Sequence, residues 1–205
     1  MAICGSLRAR PIRSGASPPV VKSPSFPFPL RISSPQELTR GPDGALWFVE
    51  TVANKIGRIT SNGQISEYPL PTSNSAPEEI TTGPDGDLWF TESGPGRIGR
   101  MLPTGQFVAE YQASASSNPE GIVSGPDGNI WFTEDRGNTI GQVIVSSGQV
   151  NEFPVPTPDS GPATIITGPA GNLWFTEYNA NGIGSIIPSQ DELAVCEHCS
   201  VELHN

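Results

Sequence analysis

Apolar residues in this chain come in short runs, each closed off by Gly, Pro, Asp or Asn. The clearest run is Leu88-Trp89-Phe90-Thr91-Glu92, entered through Gly83-Pro84-Asp85-Gly86. It returns as Leu46-Trp47-Phe48-Val49-Glu50, as Ile130-Trp131-Phe132-Thr133-Glu134 and as Leu173-Trp174-Phe175-Thr176-Glu177. The glycines that open the four copies are Gly41, Gly83, Gly125 and Gly168, so the steps are 42, 42 and 43 residues. A fixed period of this size is the signature of a repeat architecture.

Each period reads as four short strands, a to d. Strand a is the stretch after Pro35, Pro77, Pro119 and Pro162. The Gly-Pro-Asp-Gly turn follows, with Pro at its second position and Gly at its exit. Strand b carries aromatics on successive residues, Trp then Phe, which predicts that both of its faces are covered. Strand c is Lys55–Ile59, Arg97–Met101, Thr139–Val143 and Gly182–Ile186, each with an internal Gly that marks a close approach or a bulge. Strand d ends in Pro in Tyr68-Pro69 and Phe153-Pro154, which suits the outer edge of a sheet.

Four antiparallel strands per period make a propeller blade. The fold class predicted is all-β, with four consecutive four-stranded antiparallel blades over 25–195, a disordered leader over 1–24 and a tail over 196–205. Trp47, Trp89, Trp131 and Trp174 are expected buried at equivalent positions. Phe26-Pro27-Phe28-Pro29 has the strand d pattern but precedes the first strand a; Ser189–Val195 stands where a fourth strand d belongs. An open arc is the expected arrangement, in preference to a closed ring of four. Its two end blades would show apolar faces larger than a monomer usually exposes, so self-association or poor solubility is expected.

Charge narrows the partners. Residues 1–36 hold five basic residues and no acid, leaving six basic against 21 acidic residues in 37–205. Such a body repels phosphate, so no nucleic-acid partner is expected, and a neutral or cationic small molecule fits better. No run approaches the roughly 20 apolar residues of a membrane helix, so no membrane partner is expected. Cys4, Cys196 and Cys199 lie outside the repeats, an odd count that suits a reducing, cytoplasmic setting.

The motif series GPDG-x-[LI]-W-F-T-E, then N-x-I-G-R-I, then G-x-I-x-E-[FY]-P-[LV]-P resembles the streptogramin B lyase (virginiamycin B lyase) family over about residues 26–188. The resemblance implies a seven-bladed propeller and a carbon–oxygen lyase. Such an enzyme linearises type B streptogramin lactones by Mg²⁺-dependent elimination, the chemistry of an antibiotic-resistance enzyme. A base takes a proton beside a carbonyl while the cation stabilises the enolate and leaving carboxylate.

Two departures stand against activity in this chain. Seven such periods need about 300 residues, so four read as a truncated copy. The family's catalytic His lies in an E-x-H motif directly before strand a of a late blade, and another His follows the Pro of the preceding blade. Here the residues after those prolines are Gln36, Glu78, Glu120 and Ala163, and the only histidines are His198 and His204. No catalytic residue is assigned. The alternative is a non-catalytic binding scaffold.

The ligand-face candidates are Glu78 and Glu120, at the start of strand a, with Glu92 and Glu134, at the end of strand b, since these ends share one face. Glu50 and Glu177 occupy the matching b-strand ends. The structural alternative is that each strand b Glu accepts hydrogen bonds from its own b–c turn, or pairs with Arg58 or Arg100. Mg²⁺ is expected only with the lyase reading, and no metal ligand is assigned. Cys196-x-x-Cys199 with His198 and His204 is a single pair on a short tail, too little for a zinc site.

Overall fold

The computed structural model describes residues 33–115 and 117–188. The leader, Phe26–Pro29, Ser189–Val195 and the tail with its cysteines and histidines lie outside them. The described residues form a partial β-propeller of four blades. Blade 1 is β1 (Pro35–Arg40), β2 (Leu46–Glu50), β3 (Lys55–Ile59) and β4 (Ile65–Pro69). Blade 2 is β5 (Pro77–Thr82), β6 (Leu88–Glu92), β7 (Arg97–Met101) and β8 (Phe107–Gln112). Blade 3 is β9 (Pro119–Ser124), β10 (Ile130–Glu134), β11 (Thr139–Val143) and β12 (Val150–Pro154). Blade 4 shows β13 (Pro162–Thr167), β14 (Leu173–Glu177) and β15 (Gly182–Ile186), three strands among the described residues. In every sheet, spatial order follows chain order and neighbours are antiparallel. No helix among the described residues is long and apolar enough to cross a membrane.

The successive aromatics of strand b do face opposite ways. Trp47 meets the following blade and Phe90 the preceding one, in a core with Ile56, Ile80, Leu88 and Met101. The same core recurs between blades 2 and 3, where Trp89 and Ile98 meet Ile122 and Ile130. Between blades 3 and 4, Trp131 and Ile140 meet Ile165 and Leu173. Each blade therefore has a leading surface, Ile/Leu-rich, and a trailing surface, built on Trp and Ile. Packing runs β1–β5–β9–β13, and no comparable contact joins β13 to β1 among the described residues.

The internal Gly of strand c is a close approach, not a bulge. The b–c register is unbroken in all four blades, with Phe90 opposite Gly99. A Cβ on Gly99 would lie 2.2 Å from the Phe90 ring, and one on Gly57 2.0 Å from Phe48. The ring occupies the position where a side chain would stand.

Trp47, Trp89 and Trp131 are fully buried, whereas Trp174 is only partly so. Trp47, Trp89 and Trp131 each pack against a following blade, and Trp174 belongs to none of these cores; its turn differs as well. Oδ1 of Asp43, Asp85 and Asp127 accepts from the indole Nε1–H of Trp47, Trp89 and Trp131 at 3.1, 3.1 and 3.0 Å. Ala170 replaces that Asp in blade 4, and the buried Trp174 Nε1–H has no acceptor. Ala170 also takes φ 60° inside a short 3₁₀ turn, Pro169–Gly171.

Candidate functional site

Four a strands line the inner side of the arc, and each carries a bulge near its start. In β5, Pro77 pairs with Glu92 and Ile80 with Phe90, so Glu78 and Glu79 together face Thr91 alone. The same step occurs between Pro35 and Leu38, Pro119 and Ile122, and Pro162 and Ile165. Two residues opposite one bend the strand and break its alternation. In blades 2 to 4 the strand b Thr holds the bulge; Val49 stands there in blade 1. Thr91 Oγ1 accepts from Glu79 N–H at 3.0 Å and donates to the Glu120 carbonyl of the next blade at 2.9 Å. Thr133 likewise accepts from Gly121 N–H at 2.9 Å and donates to the Ala163 carbonyl.

The bulges of blades 1 to 3 open onto a cavity of about 590 Å³ lined by Pro35, Gln36, Glu37, Leu38, Glu78, Glu79 and Glu120. Glu78 and Glu120 thus come together as two of its four carboxylates. Ser93 Oγ donates to Glu78 Oε1 at 3.1 Å, and Asn118 Nδ2 donates to Glu120 Oε1 at 3.1 Å. Burial pushes the Glu79 carboxyl up to about 7; the Ile122 N–H at 3.0 Å opposes this, while Glu37, Glu120 and Glu78 add to it. Burial also raises Glu120, with Asp135 and Glu78 adding repulsion. A cation or a hydrogen-bond donor entering the cavity would relieve that repulsion.

Glu92 and Glu134 lie elsewhere. Both are fully buried inside their blades at the b-strand ends and are not part of the cavity lining. Thr139 Oγ1, at the start of strand c, donates to Glu134 Oε2. The arginines do not pair with these glutamates. Arg58 Nη2 meets Asp43 Oδ2 at 2.6 Å, and Arg100 meets Asp85 at 2.9 Å and Asp87 at 2.7 Å. They prefer the turn aspartates because strand c position 58 or 100 lies opposite the Trp, beside the Asp that the Trp itself binds.

Gln36, Glu37 and Glu79 join the site through the bulge. Regular alternation would turn Glu79 away from the face that Glu78 occupies, and only the Pro-x-x-Ile spacing hints otherwise. Among the described residues no three His, Cys, Asp or Glu side chains are placed to hold a metal ion. The four cavity carboxylates therefore do not fit magnesium as a complete ligand set.

Residues 20–198 match the model of the virginiamycin B lyase family. The fold is similar to that of selenomethionine-substituted virginiamycin B lyase from Staphylococcus aureus, at 42% identity and a TM-score of 0.76, over 82% of this chain and 56% of that one. A catalytically inactive His-to-Ala variant of the same S. aureus enzyme, crystallised with quinupristin, matches at 42% identity and TM-score 0.76, over 82% and 57%. A streptogramin B lyase structure matches at 39% identity and TM-score 0.76, over 82% and 56%. The chain thus spans a little over half the length of these relatives.

Proposed function

The chain belongs to the virginiamycin B lyase family, and from that premise we propose that its inner cavity binds type B streptogramin lactones without linearising them on its own. The observation that carries this reading is the bulged mouth, where Gln36, Glu78 and Glu120 stand at the residue after each Pro and line one cavity. These are hydrogen-bond acceptors and, in Gln36, a donor, suited to holding the amides of a cyclic peptide lactone. They are not histidines, and elimination requires a base positioned at the proton beside the ester carbonyl. Glu79 is the cavity group best poised to exchange a proton near neutrality. Its Oε2 is already engaged by a backbone N–H of the next blade.

Magnesium would supply the Lewis acid of the family's elimination, but the described residues do not assemble its ligands, so no step is routed through it. The second reading, a scaffold for another small molecule, is favoured by the acidic lining, which suits a cationic ligand. One experiment separates them. Quinupristin is titrated calorimetrically into the purified chain, and the mixture with Mg²⁺ is followed by chromatography and mass spectrometry. Heat of binding with no linear product of equal mass is expected. Turnover would overturn the claim of inactivity, and no binding at millimolar ligand would leave the scaffold reading.

A further inference from the structure

The second residue after the strand a Pro is Glu37, Glu79, Gly121 and Thr164 in the four blades, so this bulge position does not repeat as the core positions do. In blade 3 its space is taken by backbone. A Cβ on Gly121 would lie 2.4 Å from the Ala163 carbonyl oxygen and 2.9 Å from the Ile165 nitrogen, both of blade 4. In blade 2 a carboxylate reaches the equivalent nitrogen instead: Glu79 Oε2 accepts from Ile122 N–H of blade 3 at 3.0 Å. The N–H of Glu79 is itself held by Thr91 Oγ1 at 3.0 Å, so the bulge fixes where this side chain starts.

Glu79 therefore belongs to two things at once. It lines the cavity, and it ties strand a of blade 2 to strand a of blade 3. Charged groups bear on it from all three strands of the lining: Glu37 on β1, Glu120 on β9 and Glu78 on β5 itself. Like charges around a partly buried cavity favour a proton on one member of the group. Glu78 and Glu120 have side-chain donors in Ser93 and Asn118. Burial, with the repulsion adding to it, places the proton on Glu79, whose carboxyl stands at about 7.

We infer that Glu79 is a proton switch on this cavity: ionised, it adds a fourth negative charge to the lining and grips Ile122 through a charge-assisted hydrogen bond; protonated, it removes that charge and loosens the tie between blades 2 and 3. What the switch regulates rests on the cavity being the binding site proposed above; the switch itself does not. An ionised acceptor makes the shorter and stronger hydrogen bond, so the Ile122 amide reports the state of Glu79 directly.

Proton–nitrogen correlation NMR of the full chain between about pH 5 and about pH 8.5 tests it. The Ile122 amide proton should move downfield in a single step centred at about 7. In Glu79→Gln, whose amide oxygen still accepts from Ile122, the step should vanish with the fold kept. In Glu37→Gln it should move to lower pH, since one repelling charge is gone. An Ile122 amide without a step, or a step that persists in Glu79→Gln, would overturn the switch. Quinupristin titrated calorimetrically reads the consequence for binding. Affinity should be about tenfold higher at about pH 8 than at about pH 6, because only the ionised fraction offers its full acceptor strength, and the difference should disappear in Glu79→Gln. Equal affinity at both pH values in the wild type would refute the regulation of binding. No heat at either pH beside an intact Ile122 step would refute the ligand reading and uphold the switch.

Discussion

At the scale of single residues, the turn Asp has the most to do. Asp85 accepts from Trp89 Nε1–H and from Asp87 N–H, and pairs with Arg100, whose guanidinium lies 5.1 Å from the Trp89 ring centre. Asp85→Ala would leave a buried indole donor unpaired and should lower stability by about 1–3 kcal/mol. Ala170→Asp should act in reverse, raising the thermal midpoint by restoring an acceptor for Trp174 and by placing at φ 60° a residue that tolerates it better. Unfolding followed by circular dichroism checks both; equal midpoints for wild type and Ala170→Asp would refute the second. The carboxylates set the pH response. Burial holds Glu92 at about 7 against an ordinary 4.5, with Glu110 adding repulsion and Arg97 opposing it. The folded state thus favours the protonated form: its stabilisation is full below about pH 4.5 and is lost as pH rises through 7, on the order of 3 kcal/mol. Glu79 titrates in the same sense. The thermal midpoint should therefore fall between about pH 5 and pH 8, and fall less in Glu92→Gln. A midpoint independent of pH would contradict this. The Trp-Phe pair and the turn Asp were legible in the sequence, but the partners of Arg58 and Arg100 were not, because nothing in strand spacing says which of two nearby acids a guanidinium will choose.

At the scale of elements, the strand c Gly and the strand a bulge divide the work. The Gly makes room for the Phe ring of strand b, so the two strands lie closer than a side chain would allow. Gly99→Ala should destabilise by about 2–3 kcal/mol through overpacking, with little change in the slope of a denaturant titration. A neutral result would mean that the ring can swing aside. The sequence left open whether this Gly served a bulge; the bulge belongs to strand a, opposite the Thr that holds it. Its position was hidden because Pro-Glu-Glu-Ile reads equally well as two regular pairs. That is why Glu78 and Glu120 could be named for the cavity from sequence while Glu37 and Glu79 could not. Glu92 and Glu134 were named with them because the end of strand b and the start of strand a share one end of the sheet. Their side chains turn into the blade instead.

At the scale of the molecule, the four-blade arc and its order were legible, since a period of 42 or 43 residues admits one blade each. Membership of the family was legible in the same repeats, whereas the acidic cavity depends on how three neighbouring bulges meet, which no single repeat encodes.

The chain-order meander within every sheet has a consequence for how the protein is made. Each strand among the described residues pairs only with strands adjacent to it in sequence, so almost no contact inside these blades waits for a distant part of the polypeptide. Loop-closure entropy is small at every step, and an all-β protein of this kind escapes much of the slowness that long-range pairing imposes. Blade 1 can form while blade 2 is still being synthesised, and each later blade condenses onto a template already in place, adding a nearest-neighbour increment of free energy. Synthesis and assembly then proceed in the same direction, with the apolar trailing surface of the newest blade as the growing tip.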